Sequence, residues 1–307
     1  MRPIPHAVVA FALALALAAC KPVSFTAPHD AADRPAAAAT GTAAATPGTA
    51  LPDDNLNAVV WVQASAEYRA LARGVYRAAA DHLDAALAEP NWDALVPGER
   101  VNAAGDLPPA VILDVDETVL DNSPYQARLV LDGTEYDEVG WDRWVAEKKA
   151  RPVPGVVEFA KAASARGVTL LYLSNRAEHL QAATLANLRA VGLPVKDESV
   201  FLGLGTVVEG CEQDGSEKNC RRQWAGRHYR VLMQFGDQLG DFTQVVANTP
   251  QARAGLLDEY DDWFGERWWM LPNPSYGSWE PALFNNDWRQ PREARREAKR
   301  DALDPAR

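Results

Sequence analysis

The chain has 307 residues, 47% hydrophobic and 24% charged, with 31 Lys and Arg against 42 Asp and Glu and a net charge of −11. This composition excludes a fully disordered chain, and the acidic balance argues against binding a nucleic-acid polymer, which needs basic clusters. Three cysteines are too few for a disulfide scaffold and lack a zinc-site spacing.

The first predicted element is an address. Arg2 supplies a positive charge, and Ala7 to Ala19 is an apolar run too short to span a bilayer comfortably. It ends in Leu17-Ala18-Ala19-Cys20, which looks like a bacterial lipobox, so residues 1–19 read as a signal peptide and Cys20 as the lipidated residue. The Ala-, Thr- and Pro-rich stretch to residue 53 has no apolar periodicity to offset the entropy of ordering and reads as a flexible linker. Cys211 and Cys220 then remain for an oxidising compartment, where they either pair or stay as free thiols.

From Asn55 to Leu87 apolar residues recur at helical spacing, as one long helix or two in sequence. Ala110 to Leu113 is a short continuous apolar run, and similar runs recur at Val168 to Leu173 and Val231 to Phe235, the pattern of strands covered on both faces. Helical patterns at Val156 to Ala165, Glu178 to Val191 and Arg221 to His228 alternate with them. This order predicts an α/β fold with a doubly wound parallel sheet, whose ligands sit beyond the carboxyl ends of the strands. The domain is expected to span residues 54–290, followed by a charged tail over 291–307 that reads as a solvated helix or a frayed end.

The residues after each apolar run carry the chemistry. The first run is followed by Asp114-Val115-Asp116-Glu117-Thr118, two carboxylates whose repulsion a hard cation would offset. The second is followed by Ser174-Asn175-Arg176, with a helix expected directly afterwards and Ser174 as its cap or as an anion donor. The third is followed by Gly236-Asp237-Gln238-Leu239-Gly240-Asp241, where Gly236 is expected to permit a tight turn. Lys218 lies upstream of that strand. Carboxylates, a lysine and Ser/Asn donors at one sheet edge describe a Mg²⁺-assisted phosphoryl-transfer site.

This ordered set resembles the haloacid dehalogenase superfamily, and more narrowly the class C acid phosphatases, bacterial outer-membrane lipoproteins that include 5′-nucleotidases. The resemblance extends through Trp61 to Tyr68, Asp121 to Tyr125 and Leu271 to Glu280. It implies Asp114 as nucleophile, forming an aspartyl-phosphate, and Asp116 as general acid and base, with an acidic to neutral optimum. It implies Mg²⁺ on the Asp114 carboxylate, the Asp116 main-chain carbonyl and the Asp237 carboxylate. Ser174 and Lys218 would hold the transferring oxygens, Asp241 would orient Lys218 or a metal-bound water, and Asn175 and Arg176 would support the loop.

Residues 121–151 are too long for a plain connection and are expected to form part of a cap. By resemblance, Trp141 and Tyr276 stack on a nucleobase, which favours nucleoside monophosphates with little base preference. The expected partners are a small phosphomonoester and, through Cys20, a membrane, with Lys21 favouring the outer membrane facing the periplasm; a homodimer is left open. The competing readings are another haloacid-dehalogenase chemistry, disfavoured by Asp116, and a non-enzymatic lipoprotein binding haem or a surface partner on the same fold.

Overall fold

The computed structural model describes residues 54–306, so the signal peptide, Cys20 and the linker lie outside the described residues. Helices α1 (Leu56–Ala64) and α2 (Ala66–Ala88) resolve the first helical stretch into two. Ser65 makes the break: its backbone is extended, and its side chain accepts the Tyr68 N–H, capping α2. No helix among the described residues is long and apolar enough to cross a membrane.

Strand β1 (Pro109–Leu113) leads through a tight loop to β2 (Leu120–Asp121), helices α3 (Ser123–Asp132) and α4 (Glu138–Glu147), and β3 (Arg151–Pro152). β2 and β3 pair antiparallel, so the two helices form an excursion closed at its base. Then come α5 (Val156–Ala165), β4 (Thr169–Ala177), α6 (Gln181–Ala190), β5 (Phe201–Leu204), α7 (Asn219–His228), β6 (Arg230–Gly236), α8 (Pro250–Glu259), β7 (Trp268–Met270) and α9 (Arg292–Asp301).

The main sheet is parallel, in the order β5-β4-β1-β6-β7. From β1 the chain builds outward through β4 and β5, then returns to build through β6 and β7. The switch point therefore lies at β1, where an open α/β sheet presents its crevice. β1 and β6 are almost wholly buried, which is why they read as largely apolar runs; the one polar residue inside the second, Gln234, donates to the Ala94 carbonyl at 2.7 Å. Helices α2 and α5 pack on each other, and Tyr76 of α2 stacks on Phe235 of β6 with ring centroids 5.4 Å apart. The Tyr76 hydroxyl donates to the Thr118 carbonyl at 2.6 Å, tying α2 to the loop after β1.

Two details depart from the sequence reading. β4 runs on through Ser174 and Arg176 to Ala177, with a register irregularity against β5 between Leu173 and Ala177. Ser174 therefore caps no helix: its oxygen accepts the Arg176 N–H at 3.0 Å within the strand, and α6 begins only after a 3₁₀ turn at Glu178–Leu180. Gly236 is needed for space rather than for a special turn, since a Cβ there would stand 2.3 Å from the Asp241 Cβ.

Candidate active site

The carboxyl ends of β1, β4 and β6 open into a cleft of about 1310 Å³. Asp114 and Asp116 follow β1, Asp237 and Asp241 follow β6, and all four line it together with Lys218, Asn175 and Arg176. Residues from three strand ends are thus brought to one place.

Lys218, at the start of α7, is buried between two carboxylates. Its ammonium donates to Asp114 Oδ1 at 2.5 Å and to Asp241 Oδ1 at 2.7 Å. The other Asp241 oxygen accepts the N–H groups of Asp237 and Gln238 at 3.1 and 3.0 Å. Asp241 is therefore a bracket that holds Lys218 on one side and the turn after β6 on the other. Burial raises the Lys218 environment's cost, but Asp114 and Asp241 outweigh it and hold its pKa above the ordinary lysine value.

Asp114, Asp237 and Asp241 each offer an oxygen within 4.8 Å of the others. One ammonium does not balance them. Burial, with Asp241 and Asp116 adding to it and Lys218 opposing, lifts the Asp114 carboxyl to about 7. Burial, Asp241 and Asp114 push Asp237 well above the ordinary carboxylate range. An all-oxygen donor set short of positive charge fits a hard divalent cation. Asp237 is oriented by Asn273, whose amide donates to Oδ2 at 2.8 Å.

The Asp116 carboxylate turns away from this cluster. Arg176 holds it through Nε and Nη2, at 3.0 and 2.7 Å to Oδ1, and Asn122 Nδ2 donates to the same oxygen at 2.8 Å. Ser174 is fully buried beside them, its hydroxyl 3.4 Å from Asp116 Oδ2. Asn175 accepts from Arg221 Nη2 at 2.8 Å. Arg221, fully buried, also donates to the carbonyls of Ser174, Ser216 and Glu217, clamping the loop after β4 to the segment that carries Lys218. Cys211 and Cys220 form a disulfide in that segment, with Cα atoms 5.5 Å apart.

Trp141 and Tyr276 both line the cleft. The Trp141 ring lies 5.4 Å from the Arg176 guanidinium and packs edge-on against Tyr125. The Tyr276 hydroxyl donates to Glu117, which has a left-handed backbone at φ 59° and also accepts the Asn122 N–H at 2.7 Å. Burial and the neighbouring Asp116 and Asp237 push the Glu117 pKa far up.

Several of these residues escape the sequence reading. Glu117 has no role in the sequence reading but is buried in the site. Arg176 reads as loop support but pairs with Asp116; the available signal was the two-residue period of a strand, which puts Ser174 and Arg176 on one side. Asn122 and Asn273 lie in segments that carry the resemblance but have no role assigned there, and Arg221 lies in no motif. The charged tail forms a helix, one of its two readings, but α9 also rests against the cleft, with Arg295 buried and its guanidinium on both oxygens of Glu135 at 2.8 Å.

Residues 34–279 match the family model described as HAD superfamily, subfamily IIIB (Acid phosphatase). Among solved structures, the class C acid phosphatase from Bacillus anthracis is 32% identical, with a TM-score of 0.70 over 81% of this chain and 96% of that one. A crystal structure of that phosphatase with tungstate bound matches equally well. Among characterised proteins, the stem 31 kDa glycoprotein of Glycine max is 26% identical over 168 residues, so the chain spans 58% of that relative's length. With its parallel sheet and the carboxylate cluster at the switch point, the chain belongs to subfamily IIIB of the HAD superfamily, the acid phosphatases.

Proposed function

We propose that the chain hydrolyses phosphomonoesters with the help of Mg²⁺, that nucleoside monophosphates are its substrates, and that Cys20 carries the lipid that holds it at the outer membrane. The observation that carries the catalytic part is the division of labour between two aspartates. Asp114 faces Lys218 within the metal-fitting cluster, while Asp116, two residues on, is held apart by Arg176.

In this reading Asp114 attacks phosphorus, forming an acyl-phosphate bond as the bond to the ester oxygen breaks. Asp116 gives its proton to the departing oxygen, then takes a proton from the water that hydrolyses the acyl-phosphate, releasing inorganic phosphate and restoring Asp114. Lys218 fixes the Asp114 carboxylate and places positive charge beside the transferring oxygens. Asp114, Asp237 and the Asp116 carbonyl would hold the ion. When bound, a dication keeps the buried carboxylates ionised and offsets the charge of the incoming phosphate. Trp141 and Tyr276 offer aromatic faces in the cleft for a base. Family membership favours turnover over a purely binding lipoprotein.

The test is phosphate release from p-nitrophenyl phosphate and AMP at pH 5 to 7, with Mg²⁺ and with EDTA, beside Asp114→Asn. Metal-dependent release that Asp114→Asn abolishes supports the mechanism. Absence of release from folded, metal-loaded protein overturns it. Labelling with radioactive fatty acid, compared with Cys20→Ser, tests the anchor.

A further inference from the structure

The cations of α9 fall on one side of the helix. Arg292, Arg295, Arg296, Lys299 and Arg300 follow the i, i+3, i+4, i+7, i+8 spacing of a single face, with Glu293, Glu297 and Asp301 off it. All five line the cleft that holds Asp114 and Lys218. The helix lies beyond residue 279, where the family match ends. The cleft's volume of about 1310 Å³ also exceeds the roughly 300–1,000 Å³ usual for one small ligand.

Building on the phosphatase reading above, we infer that the basic face of α9 forms a second anion subsite, and that it selects phosphomonoesters carrying another phosphate remote from the one removed. Arg295 anchors the helix: it is buried, paired with Glu135 and set 5.2 Å from the Trp288 ring. Arg296 and Lys299 are held more loosely, on Asp54 and Glu280 at 3.0 Å each, with the Arg296–Asp54 pair about one-third exposed on both sides. Partly exposed pairs of this kind hold weakly. A phosphate dianion offers several strong acceptors to a guanidinium and would take the place of a single carboxylate. Arg300 meets Glu297 of its own helix at 3.5 Å, with both side chains about two-thirds exposed. Around Lys218, by contrast, two carboxylates enclose a single ammonium.

The experiment compares adenosine 3′,5′-bisphosphate with AMP on the full chain, by kcat/KM and by calorimetric binding to Asp114→Asn. The subsite predicts that the bisphosphate is favoured by about tenfold in both, the size of one well-made charged contact. The combined change Arg296→Gln and Arg300→Gln should bring the ratio towards one, and Arg296→Lys with Arg300→Lys should restore much of it. Hydrolysis of both nucleotides at equal kcat/KM, with equal affinities, overturns the subsite and leaves the phosphatase reading standing. Binding that favours the bisphosphate without any turnover supports the subsite and overturns the phosphatase reading. A further arm uses Cys20→Ser protein and phosphatidylglycerol vesicles. If the same arginines hold the vesicles while the two nucleotides bind alike, the face serves a membrane and the subsite is refuted.

Discussion

The Arg176 guanidinium grips the Asp116 carboxylate through two nitrogens, Nε at 3.0 Å and Nη2 at 2.7 Å to the same oxygen. Arg176 is almost completely buried, while Asp116 keeps contact with the cleft. On the proposed mechanism Asp116 is the acid that serves the departing oxygen, and this grip, with Asn122, would aim it. Arg176→Gln should leave the carboxylate misplaced and lower kcat by roughly 10²-fold, within the usual span of general acid–base contributions. Arg176→Lys should rescue little, because an ammonium cannot reproduce the planar fork. Steady-state kinetics with an aryl phosphate of low leaving-group pKa provides the check: the loss should shrink where the leaving oxygen needs no proton, and an undiminished loss would assign Arg176 another task.

Asp114 predicts the pH dependence of the metal-free protein. Unfolded, it releases its proton near 3.8, whereas in the fold burial holds the proton to about 7. The native state therefore binds more protons between these values, and stability from this group is greatest below about 4 and falls as pH rises to about 7. At about 1.4 kcal/mol per unit, the loss is of order a few kcal/mol. Asp237 is raised in the same direction and adds to it. Chemical denaturation in EDTA from pH 5 to 8 should show stability declining, with a shallower decline for Asp114→Asn. A divalent cation should stabilise strongly at pH 7 to 8 and weakly at pH 5, since its ligands must be deprotonated. A flat profile in EDTA would remove the charge imbalance from the account.

The strands that frame the site were legible because buried parallel strands leave little room for polar residues. β1, β4 and β6 announce themselves as apolar runs, and the polar residues after them mark the switch point. The edge strands were not legible: Phe201–Leu204 and Trp268–Met270 are too short to set a period. Within the site, motif positions were readable and their partners were not. Arg176 lies 60 residues from Asp116, and Asn273 lies 36 from Asp237, so only folding brings each pair together. Glu117 was hidden for another reason. A glutamate in a loop ordinarily reads as solvated, and its burial under Tyr276 depends on a segment far along the chain.

Asp237 offers a separable test of the proposed metal site. Its carboxylate lies in the cluster with Asp114 and Asp241 and has Asn273 as its orienting donor. Asp237→Asn should weaken divalent-cation binding without disturbing the Lys218 bridge. Asn273→Ala should weaken it by about 10- to 100-fold, the usual cost of losing a residue that orients a ligand. The activity of Asn273→Ala should return at high Mg²⁺. Calorimetric titration of the metal-free protein measures both, and unchanged affinity in Asp237→Asn would take that residue out of the ligand set.

The disulfide bears on Lys218. Cys220 is buried two residues past the lysine, and its bond to Cys211 closes a loop with a sequence separation of 9. Closing so short a loop stabilises by about 2–3 kcal/mol in the chain-entropy account. Replacing both cysteines with alanine should lower the melting temperature by roughly 5–10 °C for a domain of this size. The same loop supplies the Ser216 and Glu217 carbonyls that Arg221 clamps, so slack in it reaches the lysine. We expect kcat/KM to fall in the double variant at temperatures where it remains folded, and the wild-type protein to lose activity in parallel on reduction. Full activity in the folded double variant would make the bond a fastening of the loop alone, with Arg221 and the two carboxylates sufficient to hold Lys218 in place.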